Sequence, residues 1–235
     1  MTKAWLAGAL LFSLSLAGLA ATMPAVRMKF VDAQDGSPVA GALVLFHASA
    51  HEGTFTGHGG KVATLFVAEA ASDDMGEVRF PKQEFPAQPF FLNTNYHNPT
   101  MVVLKPGHAL LVLANTLRIV PTLEEVTVWQ YDGQTVKLAR ATKDADRAHA
   151  ATFAAMYADG TMSERTPCAW KSIPRFLVAA DRLAGEWNRM RKDTTDPALR
   201  HRVVTSPLEK ITANEKFFVG KGCGSPRAFF EPYLR

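Results

Sequence analysis

Cysteine is nearly absent from this chain: Cys168 and Cys223 are the only two among 235 residues. Two isolated thiolates cannot fill a tetrahedral metal site, and an even pair in an exported protein is expected as a disulfide. Histidine is scarce too, at seven, and without an HExxH run no helical zinc-protease site can form. No serine stands in a G-x-S-x-G elbow, and the "GHGG" at 57–60 lacks the lysine, the hydroxyl and the helix start of a phosphate cradle. The adjacent carboxylates Asp73 and Asp74, like Glu124 and Glu125, make poor acid/base partners, because neighbours in an extended strand point to opposite faces. No Arg/Lys run is interleaved with aromatics in the way single-stranded nucleic acid requires. Past the amino terminus, no segment is apolar enough to span a bilayer. These absences set the expectation of a non-catalytic protein that uses no cofactor, binds no nucleic acid and spans no membrane once processed.

What is present suffices for a core: 47% of residues are hydrophobic and 20% charged, an ordinary balance for one or two globular domains. Charge is unevenly placed. Residues 1–136 hold 8 Lys and Arg against 11 Asp and Glu, a net −3; residues 137–235 hold 18 against 11, a net +7. The basic back half suits an acidic partner through its field. The amino terminus, "MTKAWLAGALLFSLSLAGLAATMPA", carries one early lysine, an apolar run of 16 residues from Ala4 to Leu19, and small residues before Ala20. It reads as a signal peptide over 1–20, too short for the roughly 20 apolar residues of a spanning helix; a retained anchor is the alternative. The expected location is therefore periplasmic or secreted.

From Val26 to about Tyr131, short strands alternate with turn signals. "VRMKFVD" alternates apolar and polar, "ALVLF" is continuously apolar, and "KVATLFVAEA", "GEVRFP", "MVVLKPG", "HALLVLAN" and "VTVWQY" follow. This density of strands predicts an antiparallel sandwich over 26–135. The Pro/Asn-rich stretch 81–99 predicts a long surface loop whose aromatics Phe85, Phe90, Phe91 and Tyr96 form either a partner-binding face or a satellite cluster.

Over 136–235 the pattern becomes helical. "KDADRAHAATFAAMYA" places His149, Phe153, Met156 and Tyr157 at helical spacing, and "PRFLVAADRLAGEWNRMRK" lays Phe176, Ala180, Leu183, Trp187 and Met190 along one stripe. Pro174 suits a first helical turn. A third helix is expected through "SPLEKITANEKFF", started by Ser206 and Pro207, and "TTDPALRHRVV" reads as loop. Such short helices must either dock on one face of the sandwich or form a small disulfide-stapled subdomain. Trp129, Trp170 and Trp187 are expected to anchor cores.

The turn residues Asp32, Gly36, Pro38, Gly41, Ala42, Asp73, Gly76, Phe80, Pro106 and Gly107 resemble the pattern of the carboxypeptidase regulatory-like family over about 26–131. Val78 and His108 stand where that family usually has aromatics. The resemblance implies an α+β chain in which a transthyretin-like β-sandwich precedes a small helical, disulfide-stapled C-terminal region. It also implies an accessory role in binding, folding or display. The Tyr-Arg-Gly-Ser motif of the related transthyretin-like hydrolase does not occur, so the resemblance carries no hydrolase activity over.

One cluster remains. "HASAHEGTFTGHGG" places His47, His51 and His58 within a dozen residues. As a strand running into a loop, it puts His47 and His51 about two pleats apart, too far for one ion unless the chain folds back. Loop contacts are the expected role. The alternative is a zinc site in a metal-dependent periplasmic hydrolase, with His97 or His108 joining in. The leading expectation is an exported protein that acts by contact with another envelope or exported protein, for instance as an inhibitor or immunity protein against an exported toxin or hydrolase.

Overall fold

The computed structural model describes residues 22–51, 62–84, 96–115, 129–162 and 166–235. The expected signal segment, His58, and the loop aromatics Phe85, Phe90 and Phe91 lie outside the described residues. The strands are β1 (Thr22–Met23), β2 (Val26–Asp32), β3 (Leu43–His51), β4 (Val62–Ala71), β5 (Glu77–Phe80), β6 (Gln83–Glu84), β7 (Tyr96–Leu104), β8 (Leu111–Ala114) and β9 (Thr135–Leu138). The helices are α1 (Asp144–Gly160), α2 (Pro174–Met190), α3 (Pro197–Arg200), α4 (Pro207–Ala213), α5 (Glu215–Gly220) and α6 (Pro226–Phe230).

Two sheets face each other, a four-stranded one ordered β4-β3-β7-β8 and a three-stranded one ordered β5-β2-β9; β1 and β6 form a short ribbon. Met28, Phe30, Val78 and Phe80 of the smaller sheet meet Val44, Phe46, Met101 and Val103 of the larger one, with Trp129 buried among them. The larger sheet is covered again on its other face, where Leu45, Val102 and Leu104 pack against Trp170, Ile173, Phe176 and Leu177. The helices thus dock on one face of a sandwich-like α+β body, giving three layers. Burial on both faces is the physical reason "ALVLF" shows no polar alternation, whereas β2 alternates over its first residues.

Several elements differ from expectation. β3 does not end at Phe46 but runs on to His51, so His47 is a strand residue. Tyr96 likewise lies in a strand, opposite Ala50, rather than in a loop. Pro99 is tolerated within β7 because it lies past the Thr100↔Ala114 pair that ends the β7–β8 ladder: its carbonyl accepts from the Asn115 N–H at 2.9 Å, and the ladder needs no N–H from it. β9, which carries no strong strand signal, pairs in parallel with β2, so the smaller sheet is mixed rather than antiparallel. Gln130 and Tyr131, at the end of the expected strand "VTVWQY", form a turn, and 126–128 lie outside the described residues.

The helical layer also corrects the sequence pattern. The buried face of α1 is made of Ala148, Ala150, Ala151, Ala154, Ala155 and Ala158, while Met156 is 49% exposed and His149 stacks on Phe153 at the surface. Small side chains let α1 approach α2 and β7 closely, so Phe153 and Tyr157 are only partly buried at the core's edge and Met156 turns outward. On α2 the expected stripe holds except at its end, where Met190 is exposed. The stretch read as loop contains the single turn α3, and the expected third helix is two, α4 and α5, broken at Asn214. The Ser206 hydroxyl accepts from the Glu209 N–H at 2.9 Å, as expected of an N-cap.

Two ties join the layers. Ile173 has no side chain to cap α2, and Glu69 of β4, whose side chain is 6% exposed, does so instead: its carboxylate accepts from the Phe176 N–H at 2.7 Å and from the N–H and Nε of Arg175 at 3.1 and 2.9 Å. A charge on the first-turn donors also favours the helix dipole. The second tie is the disulfide Cys168–Cys223, as expected, across a sequence separation of 55. It sits beside Trp170, which packs edge-on to Phe229 at 5.0 Å and Phe218 at 5.9 Å.

Candidate functional site

His47 and His108, two histidines whose side chains are described, do not converge. His47 lies between Leu45 and Ser49 on the helix-facing side of β3, opposite Val67 of β4 and Thr100 of β7. Burial pushes its imidazole down to about 4, and its Nε2 has no hydrogen-bond partner among the described residues. His51 ends β3 and His97 lies opposite Ser49. His108 follows Leu104, at the Leu43 end of the sheet. Eight residues of strand, or about 26 Å, separate Leu43 from His51, so His108 cannot share an ion with that end. No group of three or more His, Cys, Asp or Glu side chains suited to a metal occurs among the described residues.

His47 therefore acts as a pH-dependent packing residue. In the unfolded chain it titrates near 6.5, in the fold near 4, so the unfolded state binds the extra proton between those values. Stability should fall as pH drops through that window, by about 2–3 kcal/mol, and this contribution should level off below it. Urea unfolding at pH 7 and pH 4.5 should show a His47→Leu variant losing less stability than the parent; equal losses would remove His47 as the cause.

His108 has a structural task instead. Its Nε2 lies 3.3 Å from Asp32 Oδ2 and its Nδ1 lies 3.5 Å from the Pro106 carbonyl. Arg140 Nε donates to the same Asp32 oxygen at 2.7 Å and its NH2 to Asp35 at 3.1 Å. Held chiefly by Arg140 and by the Gln34 N–H, the buried Asp32 carboxyl sits at about 2. The cluster ties the end of β2, the turn after β7 and the segment entering α1.

Two surfaces have the form of binding sites. The first is a cleft of about 540 Å³ between α2 and one end of the four-stranded sheet. Arg175, Val178, Ala179, Arg182, Leu183 and Glu186 recur at helical spacing and form one wall. Leu43, Ala71, Leu104, Lys105 and Pro106 form the other, with Tyr233 at the edge. The second is the outer face of α5, where Phe217 is 49% and Val219 51% exposed while Phe218 between them is buried. Phe217 borders a groove of about 300 Å³ lined by Met162, Pro167, Ile211 and the ion pair of Lys210 with Asp159. Lys216 and Lys221 flank it, with Lys221 Nζ 5.7 Å from the Phe217 ring centre.

Neither surface was singled out from the sequence, although one signal was available. Adjacent residues on a helix diverge by about 100°, so "KFFVGK" on a short helix cannot bury both phenylalanines against one core. The cleft had no such signal, since its walls are far apart in sequence.

No protein-family model matches the chain, and no curated protein matches it. Among solved structures it is similar to 3-chlorocatechol 1,2-dioxygenase from Rhodococcus opacus 1CP, at 15% identity over 53% of this chain and 61% of that one, with a TM-score of 0.28. It is also similar to catechol 1,2-dioxygenase from Pseudomonas arvilla C-1, at 13% identity over 54% of each chain and a TM-score of 0.30. A third is the group B streptococcus pilus 2b backbone protein, at 9% identity over 52% of this chain and 42% of that one, with a TM-score of 0.24. The chain spans less than two thirds of the length of each. Likenesses at this level carry no argument about what the protein does.

Proposed function

We propose that this is an exported, non-catalytic binding protein of the bacterial envelope, periplasmic or secreted, which acts by contact with another exported protein bearing acidic groups. In this reading the sandwich is a carboxypeptidase regulatory-like, transthyretin-like module and the helical layer carries the contact. The observation that supports it is the half-exposed pair Phe217 and Val219 beside an apolar groove, flanked by Lys216 and Lys221. Exposed aromatics in a rigid setting are the residues that dominate binding energy at protein interfaces. Rigidity comes from Phe218, buried against Trp170, and from Cys223, whose bridge follows α5 directly. The surrounding cations favour an acidic partner and hasten the encounter.

The test is capture from envelope extract on immobilised protein, with Phe217→Ser and Lys216→Glu/Lys221→Glu as matched baits. A specific acidic protein should be retained by the parent, and at least tenfold less by Phe217→Ser. Its retention by the parent should fall as salt is raised, and the double charge reversal should weaken it at low salt. Equal capture by parent and Phe217→Ser would overturn the reading. If the captured protein is a toxin or hydrolase whose activity falls on binding, the role narrows to inhibitor or immunity protein.

A further inference from the structure

The cleft between α2 and the sheet end has a composition that selects its occupant. Its floor is hydrocarbon: Leu43 and Leu104 from the sheet, Val178, Ala179 and Leu183 from the helix. Its volume of about 540 Å³ lies within the range of small-molecule sites. It is elongated, because the lining residues of α2 run from Arg175 to Glu186, about 17 Å of helix at 1.5 Å per residue. Beyond Leu183 and Glu186 the surface continues into a smaller pocket of about 110 Å³ that reaches His108 and Met190.

Charge distinguishes the ends of any ligand. Lys105 and Arg182 both line the cleft and neither forms an ion pair among the described residues. Arg175 is already taken by Glu69 at 2.9 Å, and among the described residues Glu186 is the single acidic residue of the lining. Two uncommitted cations over an apolar floor favour an anionic head on an apolar body.

Hydrogen bonding then separates a hydrocarbon tail from a peptide. Several backbone groups at this end of the sheet are internally paired: Gly41 N–H to Ser72 O at 2.8 Å, Ser72 N–H to Ala42 O at 2.9 Å, and His108 N–H to Lys105 O at 3.0 Å. The helix wall likewise has its amides committed to α2. A peptide entering here would give up water from N–H and C=O groups for which these paired groups offer no partner, whereas a hydrocarbon tail loses nothing by leaving water.

We propose that the cleft is a binding site for a small amphipathic carboxylate of the fatty-acid type, its carboxylate held by Lys105 and Arg182 and its tail laid along Leu43, Leu104, Val178 and Leu183. The site is separate from the α5 surface, so either reading stands or falls without the other. Calorimetric titration of the processed protein with monomeric dodecanoate should give saturable 1:1 binding. Dodecyltrimethylammonium, with the same tail and the opposite charge, should bind at least tenfold more weakly. Arg182→Glu should weaken dodecanoate at least fivefold while Arg182→Lys stays within twofold of the parent. Because Arg182 is exposed, these variants leave the fold intact; Ala179→Phe, which fills the cleft, should abolish binding with the parent's circular dichroism preserved. Absence of dodecanoate binding overturns the proposal. So does equal affinity for both head groups, or an Arg182→Glu variant that binds like the parent.

Discussion

Replacing Gly76 by alanine should cost about 3–5 kcal/mol, a large fraction of the 5–15 kcal/mol that holds a typical domain folded. Gly76 sits at φ +74, a left-handed conformation that costs an L-residue about 1–2 kcal/mol. Space is the larger problem. A Cβ there would lie 2.3 Å from the Phe30 carbonyl oxygen and 3.2 Å from the Val39 nitrogen. Those two atoms are hydrogen-bonded to each other at 3.0 Å, and the Phe30 N–H donates to Gly76 O at 2.8 Å. Relieving the contact means moving backbone in the middle of β2, between residues buried in the sandwich core. Gly36 is the control: it has φ +73, but a methyl carbon added there would meet nothing within 4 Å, so Gly36→Ala should cost only the conformational share, about 1–2 kcal/mol. Thermal melts should place Gly76→Ala about 10 °C or more below the parent, with Gly36→Ala much nearer to it. Equal shifts would show that conformation alone, without the clash, sets the cost.

Removing the disulfide should cost about 4 kcal/mol. The closed loop spans 55 residues, and the chain-entropy relation gives about that figure for a loop of this length. The bridge confines the chain that contains α2, α3, α4 and α5, so its loss should loosen the helical layer ahead of the sandwich. A Cys168→Ala/Cys223→Ala variant should unfold at lower urea than the oxidised parent, and amide exchange should rise first around Trp170 and Phe218 while Phe30 and Phe46 stay protected. Uniform loss of protection across both layers would mean that the two unfold as one unit. Alkylation in denaturant without reductant should leave the parent unmodified.

Local and long-range information meet at Gly76. Asp73 and Gly76 were legible as a turn in the sequence, and the structure supplies the reason: the Asp73 carboxylate accepts from the N–H groups of Met75 and Glu77 at 3.0 and 2.8 Å. Asp32 was legible too, as the residue that ends a strand at a turn, and the structure adds that its carboxylate receives the Gln34 N–H at 2.8 Å. What the sequence did not disclose was that Gly76 faces the Phe30 carbonyl, far away in the chain. The same division applies to the candidate sites. His47 drew attention through residue type, yet its character comes from burial between β4, β7 and the helices. Phe217 and Arg182 drew none, because exposure and cleft formation depend on which neighbours arrive.

By itself, the sequence determined that strands come first and helices follow, the turn chemistry at Asp32, Gly36, Asp73 and Gly76, the first turns of α2 and α4, and the cysteine pair, because each rests on local backbone preference or on counting. Only the tertiary structure decided that the helices cover the second face of the four-stranded sheet, that Glu69 caps α2, that β9 joins β2 in parallel, and that α1 turns alanines inward. Those outcomes rest on contacts between residues distant in the chain, where close packing and hydrogen-bond satisfaction choose among arrangements that local preference leaves equal.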